Sequence, residues 1–447
     1  MSKESVVIVG AGIFGMSTAL WMLQTNEYDV TILDKSEILP APDAASSDLN
    51  KIIRAGDYAD PHLASLSLEA IGAWRQPEWE NTFHQSGQAL AAKVSDPKTR
   101  GFVMSSLAQC ERMGVKAIHA QTSDQLQGFF PGIRTGKFEG LEGYLNTSGG
   151  WAEATRAMKL GLERVRQLGG RVRSGAQVVG LIKDGIKVKG VILNDGEEVL
   201  CDLLVIATGA WTPGLFASTG ISSRLPPIIA TGQSVATIQL NEEEAQRYSK
   251  VPVVFLNNQF YVFPPDPNGI VKFAIHNPGY LNPAENGVSI PHTILTPGAE
   301  DGMIPREMIL ELREGLRSVY PELAGNRFVT TRLCWYCDTV SGDWLIDYHP
   351  EYENLVLATG GSGHAFKFAP IIGREILKVI KRIPSPEWAD RWAFQMNKED
   401  VGADIRHGER KLLDLNQLAT KEDLGIFRVV ERMTIQVGLA SRLVKHL

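Results

Sequence analysis

The sequence is poor in cysteine, with only four among 447 residues, at positions 110, 201, 334 and 337. So few thiols cannot supply the disulfide framework of a secreted protein, which predicts a reducing compartment. The sequence also lacks a basic excess, because 45 Lys and Arg stand against 51 Asp and Glu, for a formal net charge of −6. This balance argues against nucleic acids and anionic membranes as partners and favours small molecules.

Long hydrophobic runs are absent too. No apolar stretch approaches the ~18 residues that a membrane-spanning helix needs, and the N-terminal segment does not resemble a secretory signal. We therefore expect a cytoplasmic protein with no membrane partner. The last three residues, Lys445, His446 and Leu447, depart from the peroxisomal Ser-Lys-Leu signal at the first two positions, which leaves peroxisomal import open.

What the chain does contain is a strand, a glycine turn, a helix and a second strand within its first 35 residues. Gly10, Gly12 and Gly15 form the pattern G-x-G-x-x-G, and Asp34 ends the second strand. The glycines permit a tight turn, close approach of a pyrophosphate and close packing of helix on strand. The helix N-terminus attracts the phosphates, and the acid can accept the ribose hydroxyls. The unit predicts dinucleotide binding and disfavours NADP.

Later glycine turns distinguish FAD from NAD. Residues 208–211 (TGAW) and 360–363 (GGSG) follow buried strands hundreds of residues further along the chain. A long cofactor that reaches several segments explains this spread, and we expect a helix to begin near Ala365, after the second of these turns. No second G-x-G-x-x-G unit offers a site for a pyridine nucleotide, which indicates that electrons pass to oxygen.

These patterns predict an α/β (α+β) fold in which a Rossmann-type FAD-binding domain carries an inserted, antiparallel β-rich substrate domain. We assign residues 1–84, 149–217 and 325–395 to the discontinuous FAD-binding domain. Residues 85–148 and 218–324 form the substrate domain, and residues 396–447 are a C-terminal extension.

A specific resemblance lies between Cys334 and Lys367. The stretch CWYCDTVSGDWLIDYHP, followed by GGSGHAFK, resembles the monomeric sarcosine oxidase family of flavoprotein amine oxidases, which includes fungal fructosyl amino acid oxidases (amadoriases), pipecolate oxidase and saccharopine oxidase. The resemblance extends to about residue 395 and implies a monomeric FAD enzyme that oxidises an amine with O2 and releases H2O2. It also implies that Cys334 carries FAD covalently. Cys337 is the weaker alternative, since odd spacing on a strand points it to the other face.

The resemblance assigns further roles. Arg54 and Lys367 match the pair that binds the substrate carboxylate, and Lys51 matches an amadoriase residue beside the flavin. Tyr261, Lys272 and His276 reproduce the spacing of an active-site tyrosine, an oxygen-activating lysine and a histidine. Lys272 and His276 share a strand face because even spacing repeats the side.

The implied contacts to FAD are numerous, and no metal site is expected. They are Gly10, Gly12, Ile13, Phe14, Gly15, Asp34, Lys35, Ser47, Lys51, Val178, Gly209, Trp211, Cys334, Asp338, Gly361, Gly363, His364, Phe366 and Lys367.

The favoured function is oxidation of a secondary-amine amino acid, N-methylated or cyclic, such as a sarcosine-like or pipecolate-like substrate. A fructosyl amino acid (Amadori) or saccharopine oxidase is the alternative, although amadoriases place a substrate-binding glutamate where this chain has His276. A flavin-binding scaffold without turnover is the alternative from another class. The exact substrate stays open at this point.

Overall fold

The computed structural model describes residues 3–221, 227–257, 259–299, 303–394 and 408–425. The strands are β1 (Glu4–Val9), β2 (Tyr28–Leu33), β3 (Asn50–Ile53), β4 (Phe83–His84), β5 (Gln88–Lys93), β6 (Ala117–Ala120), β7 (Leu141–Asn146), β8 (Gly150–Glu153), β9 (Arg171–Arg173), β10 (Val178–Asp184), β11 (Lys187–Leu193), β12 (Glu198–Leu200), β13 (Leu203–Ile206), β14 (Ile228–Gln239), β15 (Val253–Leu256), β16 (Phe260–Val262), β17 (Ile270–Ile275), β18 (Tyr280–Leu281), β19 (Phe328–Thr339), β20 (Leu345–Tyr348), β21 (Leu355–Thr359) and β22 (Lys411–Leu412). The helices are α1 (Ile13–Thr25), α2 (Pro61–Trp74), α3 (Pro97–Arg112), α4 (Ser123–Gln127), α5 (Ala154–Gln167), α6 (Thr212–Thr219), α7 (Glu242–Tyr248), α8 (Arg306–Val319), α9 (Ile372–Ile380) and α10 (Pro386–Ala389).

The first sheet has the strand order β20-β21-β13-β1-β2-β9. All neighbours in it are parallel except the edge pair β20 and β21. Its central strands are apolar on both faces, as parallel strands covered on both sides require. The predicted Rossmann-type sheet is thereby confirmed.

The glycine turn between β1 and α1 depends on two positions. Gly10 has φ +107°, and a Cβ atom there would lie 2.5 Å from the carbonyl oxygen of Ala207. A Cβ atom on Gly15 would lie 1.9 Å from the carbonyl oxygen of Gly10. Only glycine permits this conformation and this close approach of helix to strand.

The second large sheet joins ten strands of the described chain in the order β22-β18-β14-β17-β16-β15-β5-β7-β6, with β19 also paired to β14. Its pairs are antiparallel except β15 with β5 and β18 with β22. Two three-stranded sheets, β10-β11-β12 and β3-β8-β4, complete the fold. The predicted β-rich part is present as a mixed sheet.

Two expectations about helices need correction. The helix expected near Ala365 is a single 3-10 turn, Phe366–Phe368, and α9 begins at Ile372. Pro370 lies between them and has no N–H to continue the helical hydrogen bonds. The helical spacing of apolar residues from Trp151 to Leu168 also predicts a helix over that range, but Trp151 lies on β8 and α5 spans Ala154–Gln167.

The predicted domain boundaries remain a prediction. Strand β19 lies within the third predicted FAD-binding segment, yet it pairs along its length with β14 of the second sheet. Of the predicted C-terminal extension, residues 408–425 are described, and β22 adds to the edge of that sheet beside β18. The last three residues lie outside the described chain. No helix in the described ranges is long and apolar enough to span a membrane.

Candidate active site

A cavity of about 730 Å³ opens at the carboxyl ends of β1, β2, β13 and β21. Ligands of open α/β sheets bind at this edge, where the loops after the strands converge. Fourteen of the predicted FAD contacts line the cavity: Gly10, Gly12, Ile13, Phe14, Asp34, Lys35, Lys51, Val178, Gly209, Trp211, Gly361, Gly363, His364 and Phe366.

The polar groups of this cavity suit a dinucleotide. Asp34 is fixed at the end of β2 because its carboxylate accepts from the backbone N–H groups of Ala11 (2.8 Å) and Ser36 (2.9 Å). Burial raises the pKa of Asp34. The Lys35 ammonium lies 4.4 Å from the centre of the Trp211 ring. The glycine turn supplies the bare backbone that a diphosphate needs. The residues present therefore fit FAD.

Five predicted FAD contacts do not line this cavity. Gly15 lies beneath the glycine turn, and Ser47 is buried with a hydroxyl that has no protein partner. Asp338 accepts a hydrogen bond from the Thr231 hydroxyl at 2.6 Å. Cys334 and Lys367, the remaining two, lie in the adjoining active-site region described next.

A buried carboxylate, Asp48, organises one side of that region. Its Oδ2 lies 2.8 Å from Lys272 Nζ, 2.8 Å from Lys51 Nζ and 3.3 Å from an Arg332 guanidinium nitrogen. Lys272 also donates to the backbone carbonyl of Asn50 and is 1% exposed. Three cations from β3, β17 and β19 thus converge on one carboxylate.

The charged groups of this cluster shift the pKa values of one another. Burial alone would raise the pKa of Asp48, but Lys272, Lys51 and Arg332 outweigh it and hold that pKa well below its usual range. Burial lowers the pKa of Lys272 to about 7, although Asp48 opposes the shift. Lys51 is more exposed, and the attraction of Asp48 overcomes burial and raises its pKa. Lys272 is therefore the member of the cluster that titrates near neutral pH.

Strand β19 presents Arg332, Cys334 and Tyr336 on one face, at alternate positions. The thiol of Cys334 lies 3.8 Å from Lys51 Nζ. Cys337 belongs to the opposite face, as its odd spacing predicts, and its thiol lies 3.4 Å from the Thr359 hydroxyl. Cys337 nevertheless lines the cofactor cavity, and burial raises its pKa to about 12. The two cysteines approach the cofactor region from different sides of one strand.

Arg54 and Lys367 meet over one aromatic ring. The Arg54 guanidinium carbon lies 5.1 Å, and Lys367 Nζ 5.8 Å, from the centre of the Tyr58 ring. Arg54 donates to the backbone carbonyl of Asp57 at 3.0 Å and Lys367 to that of His364 at 2.6 Å. Neither cation forms an ion pair with a described carboxylate, and this distinguishes them from Lys51 and Lys272.

Aromatic rings close the remaining side. The ring of His276, directly after β17, lies 6.1 Å from Phe255 and 5.9 Å from Tyr336. Tyr261 lies 6.1 Å from Phe255 and hydrogen-bonds to Tyr336, and burial raises its pKa. The structure therefore brings all six predicted catalytic and substrate-binding residues into one region, between the parallel sheet and the large mixed sheet.

Sequence reasoning did not assign roles to Asp48, Arg332, Tyr58 and Tyr336. Two signals were available. Asp48 precedes Lys51 by three residues in the same motif, and Arg332 and Tyr336 flank Cys334 at even spacing on a strand, which places all three on one face.

The chain matches a family model described as FAD dependent oxidoreductase over residues 5–378. It is 30% identical over 427 residues to the L-saccharopine oxidase of Schizosaccharomyces pombe, covering 90% of this chain and 95% of that protein. It is 26% identical over 392 residues to the human peroxisomal sarcosine oxidase, covering 86% and 94%. A solved fructosamine oxidase from Aspergillus fumigatus (Amadoriase II) superposes with a TM-score of 0.81, at 26% identity and with 94% and 97% covered.

The chain belongs to the FAD-dependent oxidoreductase family. It is an FAD-dependent amine or amino-acid oxidase of the sarcosine oxidase, amadoriase and saccharopine oxidase type. The family and the enzyme class expected from the sequence are thus confirmed.

Proposed function

We propose that the enzyme oxidises a secondary-amine amino acid, N-methylated or cyclic, to an imine, with O2 as the electron acceptor and H2O2 as the product. The observation that carries this proposal is the pair of the buried Lys367 and the partly buried Arg54, both over Tyr58 and neither ion-paired with a carboxylate among the described residues. Two such cations suit the carboxylate of an amino acid, because charge-assisted hydrogen bonds are strong in a water-poor pocket.

The chain's residues divide the work between binding and oxygen chemistry. Arg54 and Lys367 hold the carboxylate, so that the adjacent C–N bond has one orientation in the pocket. Phe255, Tyr261 and His276 exclude water around the amine carbon. Bound FAD supplies the two-electron acceptor for this oxidation.

Lys272 is the proposed oxygen-activating residue. Its ammonium is fixed by Asp48 and by the backbone of Asn50, so a positive charge is already in place when negative charge develops on oxygen. Lys51 shares the same carboxylate and, being paired, keeps its proton. Asp48 acts on the reaction through these lysines and is a positioning residue.

We further propose that Cys334 carries the flavin covalently. Its thiol faces Lys51 from β19, on the same strand face as Tyr336. Acid precipitation of the holoenzyme should leave the yellow colour in the pellet, and Cys334→Ala should release it to the supernatant. Cys337→Ala, the matched control on the opposite face, should keep the colour in the pellet. Free FAD from the unmodified protein would contradict the link.

The chief alternative concerns the substrate. Similarity to amadoriase structures and to the yeast L-saccharopine oxidase supports an oxidase of sugar amines or of saccharopine. His276, where amadoriases are expected to have a glutamate, argues against sugar amines.

A peroxide assay over a panel of amines tests this choice. The panel contains sarcosine, pipecolate, proline, saccharopine, fructosyl-valine and fructosyl-lysine. We expect turnover of an N-methylated or cyclic acid, much slower turnover of its methyl ester, and little with the fructosyl compounds. Fructosyl amino acids as the best substrates would replace the proposal with the amadoriase function, and no peroxide from any amine would leave a flavin-binding scaffold.

A further inference from the structure

Lys367 lies in an unusual place for a charged lysine. The residue is 5% exposed, and within the described chain its Nζ donates one hydrogen bond, to the backbone carbonyl of His364 at 2.6 Å. The Tyr58 and Phe368 rings lie 5.8 and 5.9 Å from it. A carbonyl and two rings stabilise an ammonium less than a carboxylate does, and burial costs it most of its hydration.

The charged groups that act on Lys367 are both positive. They are Arg54, which follows β3, and Lys51, which lies on it. From the other sides Lys367 meets the His364 segment and Trp74 of α2, whose indole N–H donates to the Lys367 carbonyl. The His364 ring has Nδ1 3.5 Å from the Tyr58 hydroxyl and Nε2 2.9 Å from the Gly342 carbonyl.

The carboxylate on the Arg54 loop is turned away from this pair. Asp57 accepts from the Tyr144 hydroxyl at 3.0 Å and from the Asn146 amide at 2.8 Å, within a fully buried network. Asp48, on the other side of the site, is already shared by three cations. Arg54 is still close enough to Asp57 to oppose the rise in pKa that burial causes in that carboxyl, so Arg54 has a partial counter-charge. Lys367 has only cations acting on it, and its charge balance is therefore left to a ligand.

We propose that this pair binds its substrate in a proton-coupled way: the carboxylate enters together with one proton, which Lys367 takes up from solvent. In the free site the lysine is neutral, and the arriving anion supplies the counter-charge that its ammonium lacks. The only bonds that change are those to the proton: it leaves a hydronium ion or a buffer acid and forms an N–H bond with the lone pair of Nζ. Burial and the two neighbouring cations, which lower the pKa of Lys367 well below its usual range, support this.

The sign of the pH dependence follows. A bound carboxylate raises the pKa of Lys367, so between the free and the bound values binding consumes a proton. Affinity for an anionic ligand should then fall about tenfold per pH unit as pH rises through that window. A ligand without the carboxylate should show no such slope.

The test uses the holoenzyme and 2-(methylthio)acetate, a carboxylate in which sulfur replaces the oxidisable amine. Titration calorimetry in phosphate and in Tris, whose ionisation enthalpies differ, gives the protons taken up per ligand between pH 6 and 9. We expect uptake approaching one proton within this range. Lys367→Arg should bind the ligand with no uptake by this side chain, because arginine stays charged. Lys137→Arg, at a lysine whose side chain is 87% exposed, should keep the uptake of the unmodified enzyme.

The inference rests on the proposed carboxylate site, and the two fail differently. Binding without proton uptake at any pH, or equal uptake in Lys367→Arg, would overturn proton coupling while the carboxylate site survives. Binding no tighter than that of the uncharged methyl ester would overturn the carboxylate site itself. The ester titrated into unmodified enzyme also serves as a control that needs no variant, and it should take up no proton.

Discussion

Lys272 and Lys367 are two deeply buried lysines of the same site with opposite electrostatic surroundings. Lys272 lies 2.8 Å from the Asp48 carboxylate, whereas the described charges around Lys367 are cations. Burial lowers the pKa of both lysines, to about 7 for Lys272 and well below its usual range for Lys367. A fixed counter-ion thus keeps one lysine close to its charged state, and the other depends on a ligand for its charge.

The presence or absence of a built-in counter-ion suits the two lysines to different tasks, the activation of oxygen and the binding of the substrate. A charge that acts on oxygen must be present whatever ligand is bound, and a carboxylate built into the chain provides it. A cation that holds the substrate carboxylate contributes most to the free energy of binding when no carboxylate of the chain is paired with it. An existing buried ion pair would have to be broken before the substrate could bind. The three predictions below test the two halves of this comparison, from the largest expected effect to the smallest.

The first prediction removes the internal counter-ion. Asp48→Asn leaves Lys272, Lys51 and Arg332 buried without a carboxylate, which should lower the free energy of unfolding by about 3–5 kcal/mol. Urea unfolding of variant and unmodified enzyme measures the change. The matched control is Asp29→Asn, which breaks an exposed pair with Arg171 and should cost no more than about 1 kcal/mol. Equal losses in the two variants would mean that Asp48 does not balance the cluster.

Asp48 also shows where sequence reasoning reached its limit. The glycine turn and Asp34 could be predicted, because each part of a βαβ nucleotide unit lies within 35 residues and has its own steric reason. The convergence of three cations on Asp48 could not be predicted, because it requires β3, β17 and β19 to lie next to one another. The register of β17 and β19 is set by their long-range pairing with β14. The even spacing of Lys272 and His276 and the odd spacing of Cys334 and Cys337 predicted which of these side chains share a face, but not which carboxylate the cations would contact.

The site around Lys367 shows a second limit. The glycine pattern GGSGHAFK predicted a turn followed by a helix, and the turn is present. The helix is delayed to Ile372, so Lys367 lies on a 3-10 turn that directs it toward Tyr58 and Arg54. A local pattern indicates that a turn occurs, whereas packing against α2 decides how the chain leaves it.

The second prediction tests the part of the site that is proposed to bind the substrate carboxylate. Arg54→Ala removes one of two charge-assisted contacts to the substrate carboxylate, a loss on the order of 2–5 kcal/mol when the partner stays buried, so kcat/KM for the acid should fall roughly a hundredfold or more. The loss should be far smaller with the methyl ester, which never used the contact. Arg75→Ala, an exposed arginine near the Phe83 ring, is the control and should change neither. Acid and ester reacting equally well in Arg54→Ala would place the carboxylate elsewhere.

The last prediction concerns the pH profile of reoxidation by O2. Because burial lowers the pKa of Lys272 to about 7, its ammonium is present below that pH and is lost as pH rises through it. The rate constant for reoxidation of the reduced holoenzyme should therefore fall above pH 7, by at most about tenfold per unit, whereas anaerobic reduction by substrate should not follow this profile. Lys272→Arg keeps a charge at every accessible pH and should flatten the profile, and Lys272→Met should be slow and flat throughout. Stopped-flow mixing of reduced enzyme with oxygenated buffer measures these rates. If Lys272→Met lowered the rate constants of both half-reactions equally, Lys272 would serve substrate binding or structure. Lys51, whose pKa is raised by the neighbouring Asp48, would then become the candidate oxygen-activating residue.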